Sequence, residues 1–232
     1  MDMIKTIVFG ILLIVWLFAL VKIYYLGKGN RKHRNTTKFI TRVAIFGAIS
    51  ALLYAFIKFP VPFLPSFLEF HFDEIPIFIA GFAYGPLSAF CVILVKTFVK
   101  LAMTGTSSLM VGELSDIIYS CAFVLPAAFI YQRHRNFKSA LVGLGIGFVS
   151  QVIFAMLGNV YVMIPFYMRV MEYPEQAILG MMQKANPNIT DIGWTYAFFA
   201  VLPFNVIKNA IVLVLTIITY KSVHRFIDKM QK

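Results

Sequence analysis

Charge is what this sequence has least of. Only 13% of its 232 residues are Asp, Glu, Lys or Arg, against about 25% in an ordinary globular domain. Acidic residues are scarcest, 10 against 21 basic ones. Sixty percent of the chain is hydrophobic and its mean hydropathy is +0.81. So few charges do not coat a soluble surface around that much apolar mass, which excludes a soluble enzyme and a disordered chain. The net charge of +11 does not indicate a nucleic-acid binder, because a basic surplus is the expected mark of cytoplasmic loops in a membrane protein. Cysteine is nearly absent. Cys91 and Cys121 lie in apolar runs, with no metal-ligand spacing and no disulfide framework, and read as small buried apolar residues. No H-E-x-x-H, G-x-S-x-G or Walker A loop occurs, so no catalytic set emerges and the chain does not hydrolyse ATP by itself. Gly143-Leu-Gly145-Ile-Gly147 is no dinucleotide fingerprint, since it sits inside an apolar span and follows no strand.

What is present is a series of long uncharged runs, and a spanning helix needs about 20 mostly apolar residues. The first covers residues 6–21, continuing through 23–27 once Lys22 reaches the interface. Lys28, Arg31, Lys32, Arg34, Lys38 and Arg42 follow it. A signal peptide carries its charge before the apolar core and a small-residue cleavage site after it; here the order is reversed. The expectation is an uncleaved helix with its N-terminus outside. The second span, residues 40–59, leads into prolines at 60, 62 and 65 and then Glu69, His71, Asp73 and Glu74. Prolines stop the helix, so this stretch reads as an ordered loop on the outer side.

The run 75–95 is interrupted by Gly85-Pro86. As a single span it would leave Arg133, Arg135 and Lys138 outside, against the positive-inside rule. Breaking it into residues 74–84 and 86–103 restores the alternation. The first piece is short for a bilayer, and interrupted segments at membrane depth mark a cavity or substrate site. A span over 113–131 follows. Residues 139–168 are 30 uncharged residues, about 45 Å as a helix, so a bend is expected near Gly158-Asn159 or Pro165. A polar outer loop over 169–191, with a short helix at 172–184, precedes the last span at 192–220. The three proposed cytoplasmic segments hold 13 of the 21 Lys and Arg. The expected fold is an all-α integral membrane protein in the cell membrane. One additional N-terminal helix with the start of a basic linker (residues 1–30) precedes a six-helix unit (residues 31–232), with the C-terminus inside.

Polar residues inside these spans are functional candidates, because charge at membrane depth is costly. Lys208 lies 13 residues before Lys221, about 20 Å above the cytoplasmic edge. Asn205 shares its face at i−3, and Pro203 just before it frees a backbone carbonyl. Asn159 lies 21 residues after Lys138, about 31 Å on the same arithmetic, so the three are expected to meet at one depth. Amides offer donor and acceptor together, which suits the imide or amide edge of a small ligand. The alternative is an interhelical polar clamp with no ligand. Lys96 and Lys100 at i, i+4 face Glu113 and Asp116 at i, i+3 on the next helix, and ion pairing is favoured over ligand binding there. Ala44-x-x-x-Ala48, the overlapping Gly47-x-x-x-Ala51, and Gly143-x-x-x-Gly147 permit close helix approach, with ordinary internal packing as the plain reading. Aromatics at 63, 67, 70, 72, 161, 166 and 167 either stack on a flat ring or form an interfacial belt.

Together, Pro62-Phe-Leu-Pro65, Phe72-Asp-Glu-Ile-Pro76, Gly85-Pro86, Leu94-Val-Lys96, Gly112-Glu-Leu, Val124-Leu-Pro-Ala, Asn159 with Ile164-Pro-Phe-Tyr167, and Pro203-Phe-Asn-Val-Ile-Lys208 resemble the riboflavin-specific S component of energy-coupling-factor (ECF) vitamin transporters. The likeness covers about residues 40–225; the N-terminal helix departs from the six-helix unit. The resemblance implies a subunit that captures riboflavin, or its phosphate FMN, from outside. It implies work with a transmembrane coupling subunit and two cytosolic ATPases, with no cofactor, no metal and no nucleic acid. It also implies that Asn159, Asn205 and Lys208 are polar ligand contacts. Residues 60–73 become an outer lid, with Phe63, Leu64, Phe70 and Asp73 in the pocket wall and Tyr161 and Tyr167 beside it. Ala44 and Ala48 become the docking face for the coupling subunit. The alternatives are an S component for pantothenate or another vitamin, a membrane enzyme using Glu113, Asp116 and His71, or an accessory subunit that only scaffolds partners.

Overall fold

The computed structural model describes Trp16 and residues 36–60, 68–106 and 108–231. The rest of the expected N-terminal helix, and Phe63 and Leu64, lie outside the described residues.

Helix α1 (Thr36–Phe56) leads into a small antiparallel hairpin, β1 (Lys58–Pro60) with β2 (Glu69–His71), in which Phe59 faces Phe70. The hairpin is a departure from an all-helical expectation. An exposed Lys58–Glu69 ion pair at 3.0 Å spans it. The long helices run to and fro between this hairpin end and an opposite end.

Helix α2 (Glu74–Tyr84) and helix α3 (Pro86–Thr104) are separate, as the Gly85-Pro86 break predicts. Gly85 sits at φ 98°, where any side chain would be strained, and its N–H bonds the Gly81 carbonyl at 2.9 Å. Pro86 opens α3 at the first position, where a missing N–H costs nothing. With 11 residues, α2 is about 16 Å long, roughly half the hydrocarbon thickness. Gly81, Phe82 and Ala83 near its C-terminus are buried, so their carbonyls need donors. Gln132 supplies them, bonding Phe82 O at 2.9 Å and Gly81 O at 3.4 Å.

Helix α4 (Val111–His134) is the most enclosed of the described spans and forms the centre of the bundle. Phe123 meets Phe78 of α2 edge-on at 4.8 Å in the core. Helix α5 (Phe137–Gly158) starts at Asn136, whose side chain accepts from Ser139 N at 2.8 Å. It packs backbone to backbone on α4. A Cβ on Gly147 would stand 2.1 Å from Phe123 O, and one on Gly143 2.8 Å from Ala127 Cα. These glycines serve internal packing, as does Gly47, whose Cβ would stand 2.4 Å from Val95 Cγ1.

The long run after Ser139 stays helical but changes register. A π-helical turn (Asn159–Met163) precedes helix α6 (Ile164–Arg169), with Ile164 N bonding Asn159 O. The same device recurs after helix α7 (Glu175–Ala185) and the single turn α8 (Trp194–Tyr196). There a second π-helical turn (Ala197–Val201) precedes α9 (Leu202–Gln231), with Leu202 N bonding Ala197 O. Each wide turn ends two residues before a proline, Pro165 or Pro203. A proline lacks the donor and collides with the carbonyl four residues back; shifting to i→i−5 bonding accommodates it without ending the helix.

Among the described residues, five helical stretches are long and apolar enough to cross a membrane, and α2 is a shorter apolar helix beside them. At the end away from the hairpin, the Tyr131 and Tyr220 hydroxyls bond at 2.7 Å, with Phe82 packed 4.7 Å from the Tyr131 ring. Trp16 packs on Phe154 of α5 at 5.3 Å.

Candidate functional site

The buried ionic groups gather in the half nearer the hairpin. Lys96 of α3 is 1% exposed and sits between two carboxylates, Asp73 at 2.6 Å and Asp116 of α4 at 2.7 Å, with Ser120 Oγ at 3.3 Å. One turn along α3, Lys100 bonds Glu113 at 2.8 Å, and Glu113 also accepts from Thr106 and Ser108. The pairing expected between these two helices is present, and Asp73 joins it from the turn ahead of α2. Burial favours the neutral acid at Asp73. Lys96 above all, then Lys208 and His71, more than offset this and hold its pKa below the usual carboxylate range. Burial pushes the His71 imidazole down to about 4 against the pull of Asp73, so it is neutral at pH 7. It stacks on Tyr54 with ring centroids 4.1 Å apart. Lys96 and Lys100 both lie 5.4 Å from the Tyr54 ring.

Lys208 projects from α9 to Glu74, the first residue of α2, and forms a buried ion pair with its Oε1. Thus adjacent residues at the start of α2, Asp73 and Glu74, bind lysines from α3 and α9. A lone ammonium at this depth is costly; the carboxylate compensates, and an ammonium with three donors still has capacity for other acceptors.

An amide row crosses from α5 to α9. Asn205 Nδ2 bonds Val201 O at 2.8 Å, Gln151 Nε2 bonds Asn205 Oδ1 at 2.8 Å, and Asn209 Nδ2 bonds Gln151 Oε1 at 2.6 Å. A second rung lies nearer the hairpin end. There Tyr196 Oη donates to Asn159 Oδ1 at 3.3 Å, and Asn159 Nδ2 bonds Ala155 O at 2.9 Å. Asn159 follows Gln151 by eight residues, about 12 Å along the helix.

Each polar residue singled out in the sequence therefore has its own partner: Lys208 has Glu74, Asn205 has Gln151, and Asn159 has Tyr196. Phe70 is buried and packs on Phe72 at 5.1 Å. Tyr161, half-buried, meets Trp194 edge-on at 6.0 Å, and Tyr167 lies between Phe166 and Tyr173 at 6.1 and 6.4 Å. A cavity of about 220 Å³ beside the Asn159 rung is lined by Tyr161, Ile164, Pro165, Met168 and Arg169, among others. Neither Asn205 nor Lys208 lines it. Ala44 and Ala48 are exposed on α1, while Gly47 and Ala51 of the overlapping stripe are buried. Sequence reasoning missed Glu74, Gln151, Asn209 and Tyr196. Gln151 carried a signal, as a polar side chain deep in a 30-residue uncharged run.

Long apolar helices with ammonium, carboxylate and amide groups turned inward at one end define a multi-pass membrane protein with a polar interior. The chain belongs to the family described as the substrate-specific component of the ECF transporter, whose model matches residues 38–220. It is thus the substrate-binding component of a transporter and not an enzyme. Such components work with a membrane coupling subunit and ATPases and bind a vitamin. A solved S component of a bacterial ECF transporter superposes with a TM-score of 0.63 at 27% identity, covering 83% of this chain and 98% of that one. The riboflavin transporter RibU of Staphylococcus aureus is 28% identical over 206 residues, 87% of this chain and 99% of that protein. The riboflavin transporter FmnP of Bacillus subtilis is 24% identical over 196 residues, 83% and 96% of the two.

Proposed function

We propose that this chain captures riboflavin from outside the cell and delivers it inward with a membrane coupling subunit and two cytosolic ATPases. The observation that carries the reading is the buried Lys208 on one face of α9 with Asn205, both held from other helices at the hairpin end. A flavin ring is flat and apolar on its faces, and its pyrimidine edge is imide-like, with donor and acceptors side by side. Amides and an ammonium read such an edge and the ribityl hydroxyls. The names of relatives similar over nearly their whole length support the same ligand. Asn159, the lid over residues 60–73, Leu64 and the aromatics Phe63, Phe70, Tyr161 and Tyr167 complete the proposed contacts, with Asp73 anchoring the lid through Lys96. The charge distribution supports an orientation with the hairpin end outside and the C-terminus in the cytoplasm of a plasma-membrane protein.

Mass spectrometry of the small molecule that copurifies tests the ligand. Riboflavin supports the reading and FMN extends it to the phosphate ester. Pantothenate or another vitamin contradicts it.

Exposure of Ala44 and Ala48 on the least enclosed of the described spans supports docking of the coupling subunit there. Ala48→Trp is expected to abolish uptake in cells carrying the complete transporter and to leave flavin binding by the purified chain unchanged. Uptake at the wild-type rate would assign this face to lipid alone.

A further inference from the structure

The amide row carries a polarity that one backbone carbonyl sets. Val201 O only accepts, so Asn205 must present its amino group there. That turns Asn205 Oδ1 toward Gln151, which must answer with Nε2. Gln151 Oε1 is then left for Asn209, which must present Nδ2. No member reverses without breaking the row, and reversing Asn205 alone would set amino against amino at Gln151 and oxygen against oxygen at Val201. All three side chains are buried: Gln151 is 2% exposed, Asn205 5% and Asn209 0%. Water is therefore not at hand to repair a mismatch. Gln151 lies on the neighbouring helix, so it is the member that fixes Asn205 from outside its own helix.

We propose that Gln151 is a positioning residue that locks the donor–acceptor sense of Asn205 and thereby sets which ligand edge Asn205 accepts. With one N–H spent on Val201 and one lone pair on Gln151, Asn205 keeps one donor and one acceptor in fixed places. An imide or lactam edge matches that pair in one register only. This inference rests on the proposed role of Asn205 as a ligand contact.

The test is a double-mutant cycle on the purified full chain, reading riboflavin affinity by fluorescence quenching. Gln151→Met keeps the volume and deletes the row; Gln151→Leu also removes both donor and acceptor in a shorter apolar side chain. Each is expected to weaken binding about tenfold in the wild-type background and to change it little in an Asn205→Ala background. A merely structural glutamine would weaken both backgrounds equally, and that result, or no weakening at all, overturns the proposal. Melting temperatures of all variants separate lost binding from lost fold; if Gln151→Met does not fold, Gln151→Leu carries the cycle. Wild-type protein that binds no riboflavin overturns the proposed function and this inference together, whereas tight wild-type binding with an additive cycle overturns this inference alone.

Discussion

Lys96→Met is expected to destabilise the bundle severely. It removes the cation shared by Asp73 and Asp116 and leaves Asp73, which is 1% exposed, without its ion-pair partner. Breaking one side of a buried pair costs about 3–5 kcal/mol, a fall of roughly 6–20 °C in melting temperature for a chain of this size. The loss arises from uncompensated charge rather than from volume, since methionine fills the same space. Neutralising the carboxylates in the same background, Lys96→Met with Asp73→Asn and Asp116→Asn, is expected to recover most of the stability. A Lys96→Met protein melting with the wild type would mean that the cluster does not hold the base of the hairpin to α3 and α4.

Lys208→Met is expected to fail in two separable ways. It deletes an ammonium that the account assigns to the ligand, and it strands the buried Glu74 carboxylate. The second effect alone lowers stability by about 3–5 kcal/mol. Adding Glu74→Gln removes the stranded charge, so Lys208→Met with Glu74→Gln is expected to melt near the wild type. Its riboflavin affinity is expected to remain about 10- to 150-fold weaker, the worth of a hydrogen bond to a charged group. A double variant that recovers both stability and affinity would make Lys208 an interhelical clamp and nothing more.

These two lysines show what a sequence discloses and what it withholds. The separation of α2 from α3 was legible, because the positive-inside rule leaves Arg133, Arg135 and Lys138 on the wrong side unless the chain turns at Gly85-Pro86. Pairing between α3 and α4 was legible from i, i+4 lysines facing i, i+3 acids on consecutive helices. Near Asn159, where a bend was expected, the helix takes a π-helical turn, and its twin before Pro203 follows the same cause. The hairpin was not legible, since three-residue strands closed by a proline carry too little periodicity to register. Nor was the partner of Lys208. Glu74 lies 134 positions away and reads locally as part of a loop, so only the packing of α2 on α9 brings the two together. The amide row was hidden for a similar reason: neutral side chains leave no charge to mark them, and their meaning lies in which atoms face one another.

Riboflavin titrated into the purified, ligand-stripped chain tests the central claim most directly. The account predicts saturable quenching of flavin fluorescence at one site per chain, weakened by Lys208→Met with Glu74→Gln and by Asn205→Ala. Flavin fluorescence that stays unquenched, or quenching that neither variant alters, would contradict it.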